Sequence, residues 1–269
     1  MINDFPQALT IAGSDSDGSA GMQADLHTFF AEHVYGASVI TACVAGNSYG
    51  IHAAHNMPVD FINQEFKDLA DDYHIKASKT GMLADTTLIN TVYENYTKYD
   101  FGPLVVDPVI VTKHGAMLLK QDAFDALKQK LIPLAKVLTP NFYEAQKLAE
   151  MEIKSDHDME VAAKKLKQMG ADSVIIKGRH DNENQSTVRD YVLLESGKSL
   201  WLPGQYYDTE HKNGTGDTLS AAITAGLAKG KSVEDSIKEA RAYVDAAIKH
   251  GINVAHKFGP INHYVKFQK

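Results

Sequence analysis

Cysteine is almost missing from this chain: Cys43 stands alone, so no internal disulfide can form, and no Cys/His spacing matches a zinc site. A reducing compartment, the cytoplasm, is the expectation. Long apolar runs are also missing. None approaches the roughly eighteen residues of a membrane span, and the start at 1–6 has no basic stretch followed by an apolar one, so no secretory signal is expected. Nor is there a block of Lys and Arg. With 27 basic against 34 acidic residues and a net charge of −7, nucleic acid and anionic membrane surfaces are poor partners.

What is present is a globular composition, 44% hydrophobic and 23% charged over 269 residues. That length suits one large α/β domain or two small ones. There is no internal repeat, low-complexity linker or break in composition, and a single domain over 1–269 is expected.

Short apolar runs alternate with segments of helical spacing. Strands are predicted at 8–12, 37–45, 75–78, 103–107, 136–138 and 173–177, with a hairpin at 188–194 and 198–202. The run at 37–45 is β-branched and apolar enough to predict burial on both faces. Helices are predicted at 20–30, 59–73, 86–96, 122–131, 142–148, 159–169, 215–229 and 233–249. Strand and helix in alternation imply an α/β fold with a mostly parallel sheet covered on both faces. Ligands in such folds sit beyond the carboxyl ends of the strands. Asp15, Asp17, Asn47, Lys79, Asp107, Asn141, Glu144 and Lys177 are expected there, together with the segment 213–218.

That segment, Asn-Gly-Thr-Gly-Asp-Thr, opens a helix of small apolar residues. Glycines let the backbone bend and approach a ligand, and a helix start offers unpaired N–H groups and a positive dipole end. The N–H groups of Gly214, Thr215 and Gly216 form a candidate phosphate site, and Asp217 brings a carboxylate to it. The same residues also read as a plain turn with a helix cap. Asn141 followed by Glu144 reads as a capping box, which is compatible with facing a cation. Asp107 before Pro108 reads as a strand terminator, and Lys177 as a solvated strand-end lysine. The P-loop-like stretch at 226–232 has three residues between its glycines where four are needed, and it follows a helix. It is expected to be a turn between helices.

Taken with Thr-Pro-Asn-Phe-Tyr-Glu at 139–144 and Val-Asp-Pro-Val at 106–109, the 213–218 motif resembles the ribokinase-like family of small-molecule kinases. Further motifs at 9–15, 20–26, 34–36, 79–83, 107–109 and 259–263 narrow the resemblance to the hydroxymethylpyrimidine and phosphomethylpyrimidine kinases, with pyridoxal kinases as a closely similar branch. The resemblance implies a ribokinase-like fold, ATP and Mg²⁺, a small pyrimidine or pyridine acceptor, and a homodimer. By resemblance Asp217 is the catalytic base, and Lys177, Asn141, Gly214 and Gly216 bind ATP. Asp107 and Glu144 hold Mg²⁺, largely through water. Ala20, Asp25, Gly46, Asn47, Met82 and Val109 face the acceptor, with Met82 and Val109 lining the ring.

Three departures stand out. The branch often carries Cys where this chain has Asp217. It has Gln where this chain has Gly46, removing an amide that reads the pyrimidine edge. It has Gly-Gly-His where this chain has Gly178, Arg179 and His180.

Overall fold

The first βαβ unit sets the frame. In the computed structural model, which describes residues 4–110, 119, 121–179 and 185–267, β1 (Gln7–Asp15) leads through α1 (Gly21–Ala31) to β2 (Tyr35–Asn47), parallel to it. The chain then returns as β3 (Gly50–Asn56), antiparallel to β2 at the sheet's edge. Strand β3 was not predicted, because each of its residues is exposed and no alternation marks it. The outer half of β2 corrects the expectation of burial on both faces: Val44 is buried while its neighbours Cys43 and Ala45 are exposed.

Then come α2 (Val59–Asp72), β4 (Ala77–Thr80), α3 (Thr86–Lys98) and β5 (Leu104–Val106). Strand β4 starts two residues later than predicted, which moves Lys79 from beyond a strand into one. Helix α4 (Gln121–Ala126) runs into a π turn at Leu127–Leu131 and a 3₁₀ turn at Ile132–Leu134. The regular helix predicted at 122–131 is thus altered in its second half. Pro133, which has no N–H to donate, sits in the closing turn.

The rest is β6 (Ala135–Leu138), α5 (Phe142–Ala149), α6 (Asp156–Gln168), β7 (Ser173–Ile176), the hairpin β8 (Thr187–Leu193) and β9 (Ser199–Gln205), and the helix pair α7 (Thr215–Ala228) and α8 (Val233–Lys249). Helix α6 begins earlier than predicted because Ser155 caps it, accepting from Asp158 N–H. The P-loop-like stretch is the turn between α7 and α8, as expected.

The described strands form one sheet in the order β3-β2-β1-β4-β5-β6-β7-β8-β9, parallel from β2 to β7 and antiparallel at both ends. One face carries Leu104, Val106, Leu138, Val174 and Ile176 against helices α2 to α6, and the other carries Val105, Val137 and Ile175 against α7 and α8. Burying each such side chain contributes about 1.5–3 kcal/mol. Strand order reverses beside β1, where β2 lies on one side and β4 on the other. Crevices form at such switch points. Among the described residues no helix is long and apolar enough to cross a membrane.

Candidate active site

Gly214 begins the site. It is the N-cap of α7 with φ 79°, a left-handed backbone, and a Cβ added there would lie 2.1 Å from the carbonyl oxygen of Ser19. Only glycine lets the 213–218 loop lie against the β1–α1 loop. The C-terminal segment holds the loop from behind: Asn213 N–H donates to Gly259 C=O at 3.1 Å, and Ile261 N–H donates to Asn213 C=O at 3.3 Å. The first helical bond runs from Thr218 N–H to Gly214 C=O at 2.8 Å. The N–H groups of Thr215, Gly216 and Asp217 therefore precede the helical ladder and point out of the helix end. One residue on, Thr218 Oγ1 lies 2.9 Å from His263 Nε2. Burial pushes the His263 imidazole down to about 4, so it is neutral and able to accept.

Asp217 is the third residue of α7. Burial raises its pKa above the ordinary carboxylate range and Asp107 adds to the rise, while Lys79 and Lys177 oppose it. A carboxylate whose pKa is moved toward neutrality is a better proton acceptor.

Lys177 follows β7 and points back at the sheet edge, its Nζ 3.6 Å from Asp107 Oδ1. Its backbone is pinned on both sides: Lys177 N–H donates to Pro140 C=O at 3.0 Å, and Gly178 N–H to Asp190 Oδ1 at 2.7 Å. Asp190 is itself 2.7 Å from Arg241 on α8. Beyond Lys177 opens a cleft walled by Val188, Tyr206, Tyr207, Leu219, Val244 and Ile248. An apolar wall leading to a lysine and an open helix start suits a flat heterocycle carrying phosphates.

Asp107, 5% exposed, accepts from Ser220 Oγ at 3.2 Å. Glu144, 2% exposed, accepts from Ile110 N–H at 2.9 Å and from Asn141 N–H at 2.8 Å. Asn141 Oδ1 in turn accepts from Tyr143 and Glu144 N–H, both at 2.9 Å. The capping box read from the sequence is complete. Burial raises the Glu144 pKa, which Lys177 opposes. Among the described residues no group of three or more His, Cys, Asp or Glu side chains is spaced to hold a metal.

On the other side of Asp217 lie the β1–α1 loop and the end of β2. Ala20 is the half-buried N-cap of α1. Burial and then Asp17 push Asp15 up to about 6, with a smaller contribution from Asp217. Gly46 N–H donates to Ser16 Oγ at 3.0 Å, and the same hydroxyl lies 3.0 Å from Gly46 C=O. A Cβ at position 46 would lie 2.8 Å from Gly50 C=O. The glutamine that the resemblance leads one to look for does not fit this hairpin without a shift of its turn. Asn47 is exposed and accepts from Tyr49 N–H at 2.9 Å. Met82 and Val109 are half-buried, and Met82 Cε lies 3.4 Å from where a Cβ on Gly13 would stand.

Asp217 and Glu144 both lie within the fields of Asp107 and Lys177, which are 3.6 Å from each other, whereas Asp25 is set apart. Its side chain is 0% exposed and paired with Lys79. Sequence reasoning missed the walls of the cleft at Tyr206 and Tyr207, the Asp190–Arg241 pair and the His263 contact. No spacing marks them, since each depends on elements far apart in the chain. Of the three residues compared at 178–180, His180 lies outside the described residues.

A family model described as phosphomethylpyrimidine kinase matches residues 15–262. The chain is 43% identical over 264 residues to a hydroxymethylpyrimidine/phosphomethylpyrimidine kinase of Haemophilus influenzae, covering 98% of both. It superimposes on a Bacillus subtilis pyridoxal kinase solved as an ADP complex with a TM-score of 0.90 at 35% identity, covering 99% of this chain and 100% of that one. A Staphylococcus aureus pyridoxal kinase in complex with AMP-PCP and pyridoxal matches with a TM-score of 0.87 at 33% identity, over 97% and 94% of the two chains. The fold is ribokinase-like, and the chain is a phosphotransferase belonging to the phosphomethylpyrimidine kinase family.

Proposed function

We propose that the chain transfers the γ-phosphoryl group of ATP to the hydroxymethyl oxygen of 4-amino-5-hydroxymethyl-2-methylpyrimidine and then phosphorylates the resulting monophosphate, a role in thiamine synthesis. The observation that carries this reading is the position of Asp217 on the open first turn of α7. On one side lies the apolar cleft ending at Lys177, and on the other the loops around Ala20, Gly46 and Asn47.

Asp217 accepts the proton of the hydroxymethyl group as its oxygen attacks the γ-phosphorus. The N–H groups of Gly214, Thr215 and Gly216 receive the phosphoryl oxygens at the positive end of α7. Transfer of this kind depends on positioning and charge more than on covalent help. Lys177 supplies a point charge to the ATP phosphates, and Asn141 keeps the β6–α5 corner in place beside them. The hard oxygens of Asp107 and Glu144 fit Mg²⁺, which favours one or two carboxylates plus phosphates and retained water. Each of these carboxylates is buried beside Lys177 yet keeps acceptor capacity beyond its named hydrogen bonds. When bound, the ion neutralises charge developing on the β- and γ-phosphates. Val109 and Met82 bracket the acceptor ring, and Asn47 hydrogen-bonds to its edge.

Gly46 favours a second reading, phosphorylation of pyridoxal, pyridoxine or pyridoxamine. With no side chain there, the amide that would select an aminopyrimidine is missing. The likeness to pyridoxal kinases supports the same alternative. The exposed edge strand β3 leaves room for a homodimer, and the single cysteine suits the cytoplasm.

Purified protein with Mg·ATP and each acceptor in turn, with products resolved by mass, tests the assignment. The pyrimidine is expected to have a kcat/KM at least about tenfold above pyridoxal. Turnover of pyridoxal with none of the pyrimidine would replace the first reading by the second.

A further inference from the structure

Lys79 is among the largest side chains that the fold encloses fully, and its partner Asp25 is enclosed with it, each 0% exposed. The interior of a parallel strand favours apolar residues. An ammonium removed from water there carries a heavy desolvation cost, so this pair is poor evidence of a device for stability. Its position suggests another use. Thr10, Lys79 and Val105 occupy one register row across β1, β4 and β5, on the face that packs against α7. Asp25 reaches that row from α1. Lys79 Nζ donates to Asp25 Oδ1 at 2.5 Å, and Thr10 Oγ1 donates to Asp25 Oδ2 at 2.6 Å.

The ammonium also donates at 3.4 Å to the backbone carbonyl of Asp217. The same carbonyl accepts from Ser220 Oγ at 3.1 Å, and that hydroxyl lies 3.2 Å from Asp107 Oδ2. The first turn of α7 is therefore tied to the sheet through the backbone of Asp217. Neither Lys79 nor Asp25 has surface with which to touch an acceptor.

We propose that Lys79 and Asp25, steadied by Thr10, form a buried positioning unit that fixes the first turn of α7, and with it the carboxylate of Asp217, relative to the sheet. The proposal rests on the reading of Asp217 as the proton acceptor. It gives Asp25 a different role from the acceptor contact that resemblance implies.

The Asp25→Leu/Lys79→Met variant removes both charges and keeps the site filled. Replacing a buried ion pair by apolar residues of similar volume is often neutral or stabilising. Its melting temperature, ATP affinity by calorimetry and KM for the acceptor are expected to stay near parental values. Its kcat is expected to fall by at least about thirtyfold, in keeping with the cost of a small misplacement. A folded variant with parental kcat overturns the proposal.

Should the double variant fail to fold, Asp25→Asn keeps the shape of the side chain and decides the matter. A fall in kcat of about tenfold at unchanged KM is the expected result. A raised KM at unchanged kcat would put Asp25 in contact with the acceptor and overturn the positioning role, as would parental values of both. Asp217→Asn run alongside separates the two readings. Parental activity there defeats the base assignment, whereas a crippled Asp217→Asn beside unaffected pair variants defeats the positioning unit alone.

Discussion

Asp217→Asn is expected to lower kcat by about two to four orders of magnitude, the usual span for losing a general base, while the affinity for ATP stays within a few-fold. The amide keeps the shape of the carboxylate but loses its charge and its ability to take a proton at neutral pH, with one acceptor oxygen replaced by a donor NH2. On the proposed reading ATP is held by the open N–H groups of the same turn and by Lys177, neither of which the substitution removes. Single-turnover kinetics with calorimetric ATP binding separate the two effects. Unchanged turnover would remove Asp217 from the chemistry and leave the glycine loop as an anchor for phosphate.

Gly214→Ala is expected to be harmful in a different way. The residue sits at φ 79°, and its new Cβ would lie 2.1 Å from the backbone oxygen of Ser19, which has no flexible end to move aside. A left-handed non-glycine residue costs about 1–2 kcal/mol. Parting two loop backbones raises the total to about 2–4 kcal/mol. For a chain of this size that corresponds to a fall of roughly 5–15 °C in melting temperature. The same shift carries the N–H groups of Thr215 and Gly216 away from the phosphate, so a kcat loss of about a hundredfold or more accompanies it. Scanning calorimetry and steady-state kinetics measure both, and a variant with parental Tm and kcat would contradict the close approach of the two loops.

These two residues were legible in the sequence because the reasons for them are local. A glycine at a helix start and a carboxylate three residues on lie within one turn, so their place in the fold can be read from spacing, while the base role of Asp217 is what the resemblance implies. The same holds for the Asn141–Glu144 cap and for the strand–helix alternation that defines the sheet. Strand β3 was illegible for a physical reason: it is held by pairing to β2 and buries no side chain, so hydrophobic periodicity has nothing to report. Strand β4 was displaced because its buried residues, Ala, Ser, Lys and Thr, do not look like a core strand. Lys79 therefore read as a crevice residue, and only the packing of α1 and α7 over β4 reveals it as buried. The walls of the cleft come from β8, the 206–207 segment, α7 and α8, which are brought together by the tertiary fold and by no motif.

Gly46 illustrates the reverse case. The family motif makes its missing side chain conspicuous, and the structure supplies the cause, a tight β2–β3 turn in which the Gly50 carbonyl oxygen would lie 2.8 Å from a Cβ. On the proposed reading, selectivity at that edge falls to Asn47 and to backbone groups.

Asp217, on the proposed reading, takes a proton and does not itself carry the phosphoryl group. The stereochemical course at phosphorus tests it most directly. With ATP made chiral at the γ-phosphorus by oxygen isotopes and sulfur, a single in-line displacement by the hydroxymethyl oxygen predicts inversion in the product. Retention would mean two displacements through a phosphorylated enzyme residue, and would contradict the role of Asp217 as a base.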